Sequence, residues 1–166
     1  NSASGELKVN KHNEYLELDF PKDNFKKIDM IDIVKKATGV SPIETYIGDI
    51  NLFAVYDNEE IISKIEPDFE AVLGLDGQGL IISAHSNQYD FVSRYFCPKY
   101  GINEDPVTGS AHTTLIPYWA NKLNKDSLTA KQVSKRGGEL FCRNVKERVL
   151  IGGNAVLYMK GTIDIN

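Results

Sequence analysis

The chain has 166 residues, 42% of them hydrophobic, which is enough for one packed core. Charged residues make up 25%, so a disordered or collagen-like chain is excluded, and a net charge of −4 without a basic block argues against a nucleic-acid partner. The pairs Lys26-Lys27 and Lys35-Lys36 are isolated and read as solvated faces. No apolar run approaches the ~20 residues that span a bilayer, and no signal peptide is visible, so no membrane partner is expected and the cytoplasm is the default location. Cys97 and Cys142 lie far apart, outside any C-x-x-C pattern, and His12, His85 and His112 are scattered. No metal site is expected, and two buried free thiols are the default.

In chain order, Glu6–Asn10 and Tyr15–Phe20 alternate apolar and polar residues on either side of Lys11-His12-Asn13-Glu14. That pattern predicts an antiparallel hairpin with one wet face, ended by Pro21. Met30, Ile31, Ile33, Val34 and Ala37 share one face at helical spacing, with Asp29 as cap and Gly39 as stop. Asn51–Tyr56 reads as a buried strand. Asp57-Asn58 caps the next helix, with Ile61, Ile62 and Ile65 inward, and Pro67 ends it. Phe69–Leu73 is a further helical turn or two.

Leu80–Ala84 and Tyr89–Phe96 are predicted strands joined by a turn at His85-Ser86-Asn87. A loop over 97–106 leads to an apolar helix from about Ser110 to Leu123. Ala111, Leu115, Ile116, Tyr118, Trp119 and Leu123 leave that helix little polar surface, which predicts burial on most sides. Pro117 inside it should cost about 3 kcal/mol unless the freed carbonyl is satisfied, and Thr113 or Thr114 could supply a hydroxyl. From Ala130 to Ile163 three or four strands are expected, turning near Gly137-Gly138, Asn144–Glu147 and Gly152-Gly153. The class is α+β, a mostly antiparallel curved sheet wrapped around a central apolar helix.

The chemistry concentrates in Glu104-Asp105-Pro106-Val107-Thr108-Gly109-Ser110-Ala111-His112. Pro106 holds Asp105 extended, Gly109 lets a ligand approach the backbone, and Thr108 or Ser110 can cap the helix. The helix start offers unpaired N–H groups and the positive end of its dipole to a carboxylate or phosphate. Asp105 beside such a cradle suits proton transfer on a small acidic substrate. The same residues also make an ordinary turn followed by an N-cap, and spacing does not separate the two readings.

The segment resembles the E-D-P-x-T-G-S-A signature of the PhzF-like phenazine-biosynthesis isomerases, which have a diaminopimelate-epimerase-like fold. Asp90–Pro98 is similar to the family strand ending in R-x-F-x-P, and Leu115–Trp119 to its central helix, proline included. Gln132–Leu140 matches Q-x-S-x-R-G-G-x-L, and Ser4–Val9 resembles the S-G-x-L-x-V that opens the family's second half.

The resemblance implies a single lobe over 1–166, the carboxy-terminal part of a two-lobe protein with its site between the lobes. The amino-terminal lobe, expected to carry a catalytic glutamate and a G-H-A helix start, is a missing partner, and a homodimer is implied. The start at Asn1 rather than methionine fits a fragment, expected to be inactive by itself. By the resemblance Asp105 and Ser110 are catalytic; Thr108, Gly109, Ser110 and Ala111 bind a small carboxylate substrate, without metal or other cofactor. His112 reads as a core residue, Arg94 as a loop brace and Cys97 as packing. Two alternatives stay open: a non-catalytic small-anion-binding or assembly module, and a two-cysteine racemase or epimerase on the same fold. The second is disfavoured because no cysteine lies between positions 98 and 141.

Overall fold

Ten strands form one open sheet in a computed structural model that describes residues 8–12 and 15–164. In chain order they are β1 (Lys8–Lys11), β2 (Leu16–Pro21), β3 (Lys26–Ile28), β4 (Glu44–Ile47), β5 (Leu52–Val55), β6 (Leu80–His85), β7 (Phe91–Phe96), β8 (Ser127–Gln132), β9 (Gly138–Val145) and β10 (Arg148–Gly153). The helices are α1 (Ile31–Thr38), α2 (Glu59–Lys64), α3 (Phe69–Leu73) and α4 (Gly109–Leu123). Across the sheet the order is β1-β2-β10-β9-β8-β7-β6-β5-β4-β3. Only β5–β6 and β7–β8 run parallel; the other neighbours are antiparallel.

Burial along the strands shows how many layers cover them. Leu52–Val55 is buried at every position, because Phe53 and Val55 face α4 while Leu52 and Ala54 face the cluster built on α1, α2 and α3. A strand covered on both faces must be apolar on both. In β8 and β9 burial alternates, since only the α4 side is covered. Leu128, Ala130, Leu140 and Cys142 point inward, and Phe141 is partly exposed on the other face.

α4 collects side chains from strands at both flanks, from Leu18 and Phe20 of β2 to Tyr46 of β4. Laid flat, those strands would spread over roughly 35 Å, against about 10 Å for a helix with its side chains, so the sheet must curl around it. Trp119 stacks on Phe91 at 5.8 Å, and its indole N–H donates to Ser83 Oγ at 2.9 Å. Tyr118 meets Phe53 edge-on at 5.0 Å. Burying each such ring stabilises the fold by about 2–3 kcal/mol.

Pro117 costs less than its position suggests, but not by the expected means. The Thr113 carbonyl, which loses its helical donor to the proline, accepts from the backbone N–H of Asp23 at 3.3 Å. The Thr113 hydroxyl donates to the Ser110 carbonyl and the Thr114 hydroxyl to Asp23 Oδ2, so neither serves the freed group. Other expectations are also corrected. Met30, not Asp29, occupies the N-cap of α1, and no side chain caps it. Ile33 is about half exposed, so the buried face is Val34, Ala37 and Thr38. β8 begins at Ser127, β10 ends at Gly153, and no strand follows among the described residues up to 164. β3 and β4 were not anticipated. Glu6, Leu7, Asn13 and Glu14, parts of the predicted hairpin, lie outside the described residues, as does most of the Ser4–Val9 motif.

Candidate active site

β7 delivers the chain to the loop before α4. Its Arg94 holds Glu104 through two hydrogen bonds, Nε to Oε1 at 2.7 Å and Nη2 to Oε2 at 3.0 Å. The same guanidinium donates to the carbonyls of Ile62 and Ile65 at the end of α2 and lies 4.8 Å from the centre of the Phe96 ring. Paired and half-buried, Arg94 is a brace. Phe96 and Glu104 form a bridge, and the Asp105 N–H donates to the Tyr95 carbonyl at 3.1 Å, so the loop is pinned before it reaches the helix.

Thr108 is the N-cap of α4 but does not cap it. Its hydroxyl donates to Asp105 Oδ2 at 2.6 Å, and among the described residues no side-chain hydrogen bond caps the first turn. Gln132, fully buried at the end of β8, fixes this arrangement. Its Oε1 accepts from the Thr108 N–H at 2.8 Å, and its Nε2 donates to the Asp105 carbonyl at 2.7 Å and to Thr108 Oγ1 at 3.1 Å. Ser134 adds a bond from its hydroxyl to the Pro106 carbonyl at 2.7 Å and accepts from the Gly137 N–H.

His112 sits one turn into α4 and is fully buried. Its Nδ1 lies 2.7 Å from the Thr108 carbonyl, so Nδ1 carries the proton and donates. Burial pushes its pKa down to about 4, keeping the ring neutral at pH 7. Nε2 has no protein partner among the described residues, so the expected core role is met at only one of the two ring nitrogens.

A cleft of about 680 Å³ opens beside the start of α4, lined by Leu18, Val107, Gly109, Arg136, Gly138 and Ile151 among others. Of the predicted site residues, Gly109 alone lines it. A Cβ built on Gly109 would meet nothing within 4 Å, so packing does not demand glycine there. Ser110 is exposed, Asp105 half-buried and Thr108 buried. The Ala111 side chain is core, leaving its backbone N–H as the group it could offer a ligand. Another cleft of about 660 Å³, lined by Asp23, Asn24, Phe25, Lys26, Ile47, Gly48 and Asp49, contains none of these residues.

Neither cysteine is a candidate nucleophile, although Cys97 lies against the backbone of Asp105. Cys97 and Cys142 are free, buried thiols, and burial pushes them up to about 11 and about 12. Neither is a ready thiolate. No cluster of three or more His, Cys, Asp or Glu suited to a metal ion occurs among the described residues, and no described helix is long and apolar enough to cross a membrane. Sequence reasoning missed Gln132 and Ser134 as parts of the site, although both lie in a motif it singled out.

Residues 5–161 match the sequence model of the PhzC-PhzF family, described as phenazine biosynthesis-like protein. The chain belongs to that family. It is 46% identical to an uncharacterized isomerase of Pseudomonas aeruginosa, over 99% of this chain and 63% of the relative. A phenazine biosynthesis-like domain-containing protein of Bos taurus is 36% identical over 98% of this chain and 63% of its own length. Among solved structures, a PhzF-family phenazine biosynthesis protein of Enterococcus faecalis superposes with a TM-score of 0.90 at 48% identity, over 98% of this chain and 63% of that one. The PhzF-family chain thus spans about 63% of the length of these relatives. The alignments take in nearly all of it and lend no support to the expectation that it is inactive by itself.

Proposed function

We propose that this chain contributes the carboxylate-holding side of an isomerase site that moves a proton between carbons of a small cyclic or unsaturated carboxylate. The observation that carries this reading is the uncapped start of α4, with the Thr108 hydroxyl turned onto Asp105 instead of the helix. The Gly109, Ser110 and Ala111 N–H groups and the Ser110 hydroxyl hold the substrate carboxylate. Asp105 orients the substrate or relays a proton from its position beside the cradle. By the family resemblance, a glutamate from an adjoining lobe takes the proton from one carbon and returns it to another, so composition is unchanged and no metal or cofactor takes part. The succession of exposed apolar residues Val156, Leu157, Tyr158 and Met159 supports a packing partner for this segment. Buried, high-pKa thiols favour this reading over a two-cysteine racemase.

The test is deuterium incorporation from heavy water into a panel of small unsaturated ring carboxylates by the complete protein, read by mass spectrometry. Asp105→Asn should slow exchange roughly 100-fold or more, and Ser110→Ala about tenfold, mainly through KM. Exchange by both variants at the parent rate would show that these residues do not carry the reaction.

A further inference from the structure

We infer that Gln132 is a positioning residue that keeps the start of α4 open for the carboxylate by steering the Thr108 hydroxyl away from it. This inference rests on the carboxylate-site reading above.

The geometry leaves the Gln132 amide one orientation. The Thr108 N–H needs an acceptor and the Asp105 carbonyl needs a donor, so Oε1 must face the first and Nε2 the second. The remaining Nε2 hydrogen then points at Thr108 Oγ1, 3.1 Å away. A hydroxyl that accepts there has its own proton free to donate, and it donates to Asp105 Oδ2 at 2.6 Å. The order Gln132 to Thr108 to Asp105 is therefore directional, and each step fixes the next.

Register holds Gln132 in place. It pairs with Gly138 of β9 on one side and Ser93 of β7 on the other, so its backbone lies inside the sheet. It is fully buried, so it does not touch a ligand and acts through Thr108. Without its amide, Thr108 would be free to do what threonine at an N-cap ordinarily does, accepting from the N–H of the second or third helical residue. Those residues are Ser110 and Ala111, whose donors the carboxylate uses.

Two variants of the complete protein test this, with benzoate as the probe and backbone amide NMR as the readout. In its ionised form Gln132→Glu keeps shape but loses the N–H donors; Thr108→Val keeps shape but loses the hydroxyl. In Gln132→Glu the Ser110 and Ala111 amides should shift in the free protein as Thr108 recaps them, and the benzoate Kd should rise about tenfold. Thr108→Val cannot recap, so combining it with Gln132→Glu should leave the Kd no weaker than Thr108→Val alone. A lowered melting temperature with unchanged amide shifts and Kd would reduce Gln132 to a structural role and overturn the inference. If Gln132→Glu does not fold, Gln132→Met in the same assay replaces it, with the same expected shifts and the same refuting outcome. Failure of benzoate to perturb the Gly109–Ala111 amides of the parent protein would sink the site reading itself, a result distinct from an insensitive Gln132 variant.

Discussion

α3 and α4 begin in opposite ways. At the start of α3, Asp68 Oδ1 accepts from the N–H groups of Glu70 and Ala71 at 3.0 and 3.2 Å, closing the first turn. Asn58 does the same at α2, accepting from Ile61. At α4 the N-cap threonine is also able to cap, yet its side chain faces Asp105 and is held there from β8. Capping is worth about 1 kcal/mol to a helix, and α4 forgoes it. A short surface helix such as α3 depends on its cap. α4, buried on most sides, draws its stability from packing and can leave its first donors to a ligand.

The largest effect expected from probing this contrast concerns His112, which fastens the Thr108 carbonyl from inside the core. Its pKa is lowered to about 4 from an ordinary 6.5, so between those values the unfolded chain binds a proton that the folded chain refuses. Its contribution is therefore intact above pH 6.5 and is lost as pH falls towards 4, by roughly 3 kcal/mol. Urea unfolding at pH 7.5 and pH 4 should show a loss about 3 kcal/mol smaller in His112→Phe than in the parent.

Next in size is the cap itself. Asp68→Ala should destabilise the protein by about 1 kcal/mol in the same measurement while leaving benzoate affinity unchanged. Smallest in stability is Gly109→Ala. Its new Cβ meets open space, and alanine favours a helix, so the change should stay within about 1 kcal/mol of the parent. The methyl group would nevertheless enter the space where the carboxylate sits, and calorimetry should show benzoate binding weakened several-fold. The two substitutions together separate a helix start that stabilises from one that binds.

How much of this was legible in the sequence depends on where each signal came from. β5 is wholly apolar and β6 mostly so because both faces are covered, and both are legible as strands. α4 was legible through its nearly all-round apolar residues, and the α2 cap through Asn58. β3 and β4 were not. They are short and partly exposed, and Lys26, Lys27 and Glu44 give them no period-two apolar signal. The loop Glu104–His112 was visible as a motif, but its internal wiring was not. Gln132 meets Thr108 across 24 residues of chain, and only the parallel pairing of β7 with β8 brings them together. Asp29 misled as a cap because the chain enters α1 one residue later, at Met30.

The open start of α4 is tested most directly by a benzoate titration of the complete, isotopically labelled protein, following every assigned backbone amide. Saturable shifts should concentrate at Gly109, Ser110 and Ala111, with no response at Glu70 and Ala71, and none anywhere from benzamide. Equal responses at the starts of α3 and α4, or shifts confined to the Asp23–Asp49 cleft, would contradict it.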